Sequence, residues 1–242
     1  MQPSLYVALS AQLTLQKRLD SIANNVANIN TAGFRAEEVR FETFLSQTPL
    51  EPVSFVSSGD TYLSRRVGDI VKTDNVLDLA VEGEAWLAMQ TPAGTVYTRD
   101  GRLRISDGGQ LQTLNGYPVL DAGGTPILIE AAVGPPHIAR DGMITQNGRQ
   151  VGAVGLFRID GRAHLTRYEN SGVIPDQPAV PALDFGNVGV LQGYIERSNV
   201  NAVMEMSRLI MVTRELEAVT ASLNTAESNL QDAVKTLGSP TG

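Results

Sequence analysis

Few residues in this chain have the type and spacing that catalysis or metal binding requires. The 242 residues include no cysteine and only two histidines, His137 and His164. Neither histidine has metal-ligand spacing to the other or to a nearby carboxylate. The lack of cysteine excludes disulfides, thiol catalysis and thiolate metal sites.

The remaining candidate motifs are also incomplete. Asp69, Asp74 and Asp78 lack the dense alternating spacing of a calcium loop. The run Gly152–Gly155 is too short for a dinucleotide fingerprint, and the chain has no P-loop and no nucleophile elbow. The sequence therefore predicts a protein that is not an enzyme and that binds no cofactor.

Charge and hydropathy narrow the possible partners. The net charge is −7 and the charges are interspersed without a basic run, so nucleic-acid binding is not expected. No apolar stretch approaches the length of about 18 residues that marks a membrane span. Lys17 and Arg18 lie inside an amphipathic pattern, so no cleavable signal peptide is expected. We expect a cytoplasmic chain, or one exported by a route that needs no such signal.

Glycine and proline separate the ends of the chain from its middle. Before Gly33 there is no glycine and a single proline, and neither residue occurs from Tyr194 to Leu237. Almost all of the 23 glycines lie between Gly59 and Gly193. Because glycine and proline break helix interiors, this distribution predicts a long helix at each end, Ser4–Ala32 and Asn199–Leu237. The fold class is α+β by composition, with a central all-β domain.

Both predicted helices carry a seven-residue apolar repeat. The C-terminal row is Leu209, Leu216, Leu223, Leu230 and Leu237, and the N-terminal rows include Leu5, Leu15, Leu19, Ile22 and Val26. This spacing predicts a coiled-coil-like layer that packs against other helices. Leu9 and Leu13 widen the apolar stripe and indicate more than one neighbour. The alternative is a helix pair packed on the β-domain of a monomer.

The middle reads as a series of hairpins. Six Asp-Gly or Asn-Gly pairs favour type I′ turns, because both central residues then need positive φ. They begin at Asp100, Asp107, Asn115, Asp141, Asn147 and Asp160. With proline-rich stretches as linkers, the predicted organisation is a helical assembly domain (1–35 and 195–242), a linker (36–59), a β-domain (60–182) and a return linker (183–194).

Three segments of the chain resemble the bacterial flagellar axial proteins, the family that builds the rod and hook. The first is Arg18–Asn28 followed by Thr31–Arg35, and the second is Gly193–Glu196 followed by Ser198–Asn201. The third, Leu77–Gly83 with Tyr97–Gly101, lies in the predicted β-domain. In its length and its single β-domain, the chain resembles the proximal rod components most and the distal rod component next.

The resemblance implies a structural subunit of the basal-body rod, a hollow tube that crosses the periplasm and transmits torque. Its partners would be other rod subunits, further copies of itself and the flagellar type III export apparatus, with no nucleic acid and no membrane insertion. The residues expected to make assembly contacts are Leu5, Leu15, Leu19, Ile22, Asn24, Asn25, Asn28, Ser198, Asn199, Val200, Asn201, Leu209, Leu216, Leu223 and Leu230.

Phe41 and Leu45 match an aromatic-x-x-x-aliphatic motif that helps axial subunits enter the export gate. Alternatively, this run is an aromatic patch that docks the linker on the helices, and both roles can hold. A function from another class also fits the pattern, namely an extracellular module in which a coiled-coil stalk displays a ligand-binding β-domain. Such a module would form a discrete dimer or trimer rather than a polymer.

Overall fold

The computed structural model describes residues 2–40, 43–46, 53–56 and 60–238. It confirms a helix at each end of the chain with β-structure between them. The chain forms two compact units. We call residues 1–27, 37–62 and 201–242 the terminal unit, and residues 28–36 and 63–200 the β unit.

The terminal unit is built on two helices that pack against each other. Its elements are α1 Gln2–Ala27, β1 Glu37–Arg40, β2 Thr43–Ser46, β3 Val53–Val56, β4 Asp60–Leu63 and α2 Ala202–Gly238. Strand β1 pairs with β4, and β2 pairs with β3. The segment 36–59, predicted as a linker, therefore carries three of these strands. Over the residues described, neither helix has a run long and apolar enough to cross a bilayer.

Helix α1 ends earlier than predicted. The sequence led us to expect helix up to Ala32, closed by Gly33, but α1 stops at Ala27. Asparagine favours turns and helix ends over helix interiors, and Asn28 lies in a turn directly after the helix. Its backbone oxygen accepts a hydrogen bond from Thr31 N at 3.1 Å, and its side-chain oxygen accepts one from the Thr31 hydroxyl at 3.1 Å. Gly33 does have a left-handed φ of 66°, but it lies beyond the helix end.

The β unit is formed by short strands, most of them in antiparallel pairs. They are β5 Ile70–Lys72, β6 Leu79–Glu82, β7 Trp86–Thr91, β8 Gly94–Thr98, β9 Leu103–Ile105, β10 Leu111–Thr113, β11 His137–Ile138, β12 Met143–Gln146, β13 Arg149–Ala153, β14 Leu156–Arg158, β15 Leu165–Tyr168, β16 Gly172–Pro175, β17 Val180–Pro181, β18 Gly189–Gln192 and β19 Tyr194–Glu196, with a 3-10 helix at Ala131–Val133. The largest sheet has the order β15-β16-β8-β7-β14-β17. The smaller sheets are β11-β12-β13 and the pairs β9-β10, β6-β18 and β5-β19.

Strand side chains that point inward form the core of the β unit. One cluster contains Leu79, Leu87, Leu111, Ile144 and Leu156, all essentially inaccessible to solvent. A second cluster surrounds Trp86. This burial explains why Leu79–Glu82 and Trp86–Thr91 read as near-continuous apolar runs rather than as strictly alternating strands.

The turn chemistry was predicted correctly at one pair. Asn147 and Gly148 both have positive φ, 49° and 76°, and they connect β12 to β13 as a type I′ turn requires. At Asn115-Gly116 and Asp141-Gly142 only the glycine has positive φ. At Asp100-Gly101, Asp107-Gly108 and Asp160-Gly161 neither residue does, so the type I′ prediction is wrong at five of the six pairs.

Candidate assembly site on the terminal helices and the adjoining chain

The predicted heptad rows lie toward the interior of the helix pair. Ile22 of α1 and Val212 of α2 are buried, and Leu15, Leu19, Leu209, Leu216 and Leu223 are half-buried. Leu5, Leu45 and Leu230 are placed only by their backbones, in α1, β2 and α2 respectively. Phe41 lies outside the described residues. The rows thus contribute to packing within the chain, and a coiled coil with other subunits stays a prediction.

A second apolar surface on α2 faces away from this interior. We call Val203, Met204, Met206, Ile210 and Met211 the outer apolar face, because each of these side chains is more than half exposed. At 100° per residue, Ile210 and the buried Val212 lie about 200° apart around the helix. On α1, Leu9 and Leu13 are also exposed, by 47% and 58%. The terminal unit therefore exposes apolar surface on both helices.

The asparagines near the end of α1 hold the outgoing strand β1. Asn25 is 2% exposed and makes two backbone hydrogen bonds with Glu37. Its amide nitrogen donates to Glu37 O at 2.9 Å, and its oxygen accepts from Glu37 N at 2.8 Å. Ser21 also donates to Glu37 O, and the Asn24 amide donates to the Glu37 carboxylate at 3.3 Å. These amides therefore bond within the chain and fix where β1 leaves the helix.

The Ser198–Asn201 segment has two distinct structural roles. The Asn199 oxygen accepts from Ala36 N at 2.7 Å, and its amide nitrogen donates to Arg66 O at 2.7 Å. Ser198 accepts a hydrogen bond from Val200 N. Asn201 caps α2, since its side-chain oxygen accepts from Met204 N at 3.0 Å. Asn199 thus fastens chain segments of the β unit, and Asn201 starts the helix.

A buried ionic network connects the outgoing and returning segments of the β unit. Glu196 is 1% exposed and bridges two arginines that are equally buried, Arg35 and Arg99. Arg35 Nη2 lies 2.9 Å from one carboxylate oxygen, and Arg99 Nε lies 2.7 Å from the other. Gly68 N also donates to Glu196 at 3.0 Å. Glu196 therefore accepts from three separate segments of the chain.

Each arginine of the network also binds backbone carbonyls. Arg99 Nη1 donates to Gly83 O at 2.8 Å and to Ala85 O, and Arg35 Nη1 donates to Arg66 O. Burial lowers the pKa of Arg35 to about 10, against the opposing effect of Glu196, so the guanidinium stays charged at neutral pH. The pKa of Arg99 is lowered for the same reason.

Aromatic rings and a glycine complete the packing around the network. The guanidinium carbons of Arg35 and Arg99 lie 5.4 and 5.9 Å from the Trp86 ring centroid, within cation–π range. Arg167 lies 4.2 Å from the ring centroid of Phe34. A Cβ on Gly33 would lie 2.2 Å from Asp100 N, so only glycine allows this close approach.

The sequence did not identify this network as a site. Arg35 and Glu196 fall inside two of the quoted segments, but they are separated by about 160 positions and no periodicity relates them. Within the described residues, no group of histidine and carboxylate side chains could hold a metal ion. The arrangement suits holding chain segments together rather than chemical catalysis.

Comparison with known families matches three separate parts of the chain. Residues 5–35 match the model described as flagella basal body rod protein. Residues 80–146 match the flagellar hook protein FlgE/F/G D1 domain, and residues 191–236 match the C-terminal model of the flagellar basal body rod FlgEFG proteins. The matches cover both ends and the middle of the chain in that order.

Curated relatives align over nearly the whole chain. The flagellar basal-body rod protein FlgF of Mesorhizobium japonicum is 51% identical, over 99% of this chain and 99% of its own length. FlgF of Rhizobium meliloti is 47% identical, over 98% and 99%. The flagellar basal-body rod protein FlgG of Bacillus subtilis is 30% identical, over 97% and 98%.

Proposed function

The chain belongs to the family of flagellar basal-body rod proteins and is a structural component of the rod rather than an enzyme, and we propose that it assembles with neighbouring subunits through its terminal helices. In this proposal it occupies the proximal rod, and the assembled helices form the inner layer of a hollow tube across the periplasm. In this family FlgF is the proximal and FlgG the distal rod protein. The higher identity to relatives named FlgF than to the relative named FlgG therefore supports the proximal position.

The observation that carries the proposal is the outer apolar face of α2. Its five side chains, from Val203 to Met211, are each more than half exposed. Apolar surface left in water does not stabilise a monomer, so this face is available to be buried by a neighbouring subunit. Burying the exposed part of one such side chain contributes about 1 kcal/mol, so the face contributes about 5 kcal/mol when covered. That corresponds to more than three orders of magnitude in an association constant.

The buried network supports a mechanical role. In this proposal torque passes between the two units along the chain, and two of the β-unit segments that adjoin the terminal unit in sequence are 28–36 and 193–200. These two segments are bonded to each other by Gly33 N to Glu196 O at 2.8 Å and by the Arg35–Glu196 pair. Cross-bonded segments resist separation better than two independent linkers, because several bonds must break together.

Export belongs to the same proposal and rests on the sequence. A rod subunit must leave the cytoplasm before it can assemble, so the proposal includes an export step. We assign entry into the type III export gate to the motif of Phe41 and Leu45. Replacing both residues by alanine is expected to leave the subunit in the cytoplasm at normal abundance, as measured by fractionation. Normal export of the double variant would remove this assignment.

Complementation with a charged variant tests assembly. Ile210→Asp places a carboxylate in the centre of the outer apolar face, and we expect a soluble, folded subunit that is not incorporated into basal bodies and does not restore swimming. Ser222→Asp adds the same charge to an exposed position of the same helix without removing apolar surface, and we expect it to complement.

The outcome also separates the rod subunit from an extracellular binding module. If cells that carry the Ile210→Asp variant swim normally, the outer apolar face is not an assembly surface. If the purified protein sediments as a discrete dimer or trimer that does not polymerise with rod proteins, the stalked binding module is favoured instead.

A further inference from the structure

Methionine is concentrated on the outer apolar face of α2. The chain has six methionines, and three of them, Met204, Met206 and Met211, belong to that face and are 51%, 56% and 53% exposed. Two others lie in the β unit, where Met89 is buried and Met143 is half-buried. Among the residues that the structure describes, the most exposed methionines therefore share one surface.

The helical period places these methionines along both margins of the face. At 100° per residue, Met204 and Met211 lie about 20° apart on one margin, and Met206 lies about 160° from Met204 on the other. Val203 and Ile210 are also about 20° apart and lie between the two margins. A neighbour that covers the centre of the face must therefore cover thioethers on both sides of it.

A thioether reacts with a peroxide by oxygen transfer. A lone pair of the sulfur attacks one oxygen of hydrogen peroxide, the O–O bond breaks, and an S–O bond forms. The departing hydroxide takes the proton from the transferred hydroxyl and leaves as water. The sulfur is oxidised by two electrons, the peroxide is reduced by two, and the product is methionine sulfoxide. Because the chain has no cysteine, no thiol of the protein competes for the oxidant.

Oxidation changes the polarity of the face. A sulfoxide oxygen is a hydrogen-bond acceptor, so a flexible apolar side chain becomes a polar one. Burying a polar group without a hydrogen-bond partner is unfavourable. Each sulfoxide that an apolar neighbour covers should therefore lower the association constant about tenfold.

We propose that Met204, Met206 and Met211 form an oxidation site that peroxides modify in the free subunit, and that the sulfoxide form is excluded from the rod. Exclusion from the rod rests on the proposed function, since it requires a neighbouring subunit to bury the outer apolar face. The reactivity of the three methionines rests only on their exposure. Reduction of the sulfoxides would restore a subunit that can assemble.

Peptide mapping by mass spectrometry tests the oxidation site on the purified full chain. The protein is treated with hydrogen peroxide, and the sulfoxide content at each methionine is followed over time. Met89 is the internal control, because it lies buried in strand β7 and reacts only when that strand opens. We expect the three methionines of α2 to be oxidised at least about tenfold faster than Met89. Oxidation of Met89 at the same rate would overturn the proposed site.

Two triple variants test exclusion from the rod in cells. Glutamine at positions 204, 206 and 211 replaces each thioether by an uncharged group with an acceptor oxygen, as in a sulfoxide. Leucine at the same positions keeps the apolar surface and cannot be oxidised. We expect the glutamine variant to match the parent protein in circular dichroism, because the three positions are exposed. Its amount in isolated basal bodies should fall below about a tenth of the parent level, whereas the leucine variant should reach that level.

Ile210→Asp in the same assay separates this inference from the proposed function. If the Ile210→Asp subunit is excluded while the glutamine variant is incorporated normally, the face is an assembly surface that oxidation does not control, and the inference is overturned. Exclusion of the leucine variant would also overturn it, because polarity would then not be the cause. If Ile210→Asp is itself incorporated normally, the proposed function fails and exclusion of the sulfoxide form fails with it.

Discussion

Glu196→Gln is the sharpest test of the buried network. The substitution keeps the shape of the side chain but removes the negative charge that Arg35 and Arg99 share at 2.9 and 2.7 Å. An amide has only one acceptor oxygen, so at least one of the two arginines then faces an N–H group. Both guanidinium charges then stay buried without a carboxylate to balance them.

The expected loss is large because the pair is almost inaccessible to solvent. Removing one partner of a buried ion pair destabilises a protein by about 3–5 kcal/mol. For a unit of this size, 1 kcal/mol lowers the melting temperature by about 2–4 °C, so the Tm of the full chain should fall by about 6–20 °C. Differential scanning calorimetry measures this shift directly.

Glu82→Gln is the matched control. Glu82 pairs with Arg140 at a similar distance, 3.0 Å, but the two side chains are 33% and 58% exposed. Exposed pairs contribute at most about 1 kcal/mol, so the control should melt within about 4 °C of the parent protein. A Glu196→Gln protein that melts as late as the control would refute the reasoning.

Double substitution adds a second criterion. Because Arg99 and Glu196 act in one network, their effects should not add. Replacing Arg99 by glutamine in the Glu196→Gln protein removes one uncompensated cation, so the double variant should be less destabilised than the sum of the two single variants. Strict additivity would mean that the two side chains do not interact.

Three further predictions follow from local geometry. Gly33→Val combines a left-handed φ with a backbone clash, so it should lower the free energy of unfolding by at least about 2 kcal/mol and abolish motility. Gly123→Val should change the free energy of unfolding by about 0.5 kcal/mol or less. Asn201→Ala removes the cap of α2, so amide exchange in the first helical turn should become about fivefold faster. The pKa of Tyr117 lies above the ordinary range because its hydroxyl donates to Glu169. Spectrophotometric titration, with Tyr117→Phe as the reference, should show this pKa falling in Glu169→Gln.

The elements at the two ends could be predicted because their signal is local. Helix α2 was predicted as Asn199–Leu237 and runs from Ala202 to Gly238, so it starts three residues later and includes one glycine at its end. Val212 of the heptad rows is buried. The end of α1 was misplaced because Gly33 is a stronger sequence signal than Asn28. The chain turns at Asn28, which bonds to Thr31, before it reaches Gly33, and the glycine serves a close approach to Asp100 instead.

The buried network could not be predicted, because its partners are distant in sequence. Arginine and glutamate in short motifs are usually solvated, and only the fold brings Arg35, Arg99 and Glu196 together. The outer apolar face was hidden for a different reason. The leucine row at heptad spacing predicts an apolar surface on one side of α2 only. Met204, Met206 and Met211 lie outside that row, so the spacing does not indicate them.

The central claim, that the outer apolar face is covered in the rod, can be measured by cysteine protection. The chain has no cysteine, so Ile210→Cys carries a unique thiol. We predict fast maleimide labelling in the purified subunit, little or none in isolated basal bodies, and full labelling again once the basal bodies are denatured. Equal labelling rates in the free subunit and in intact basal bodies would contradict assembly through this face.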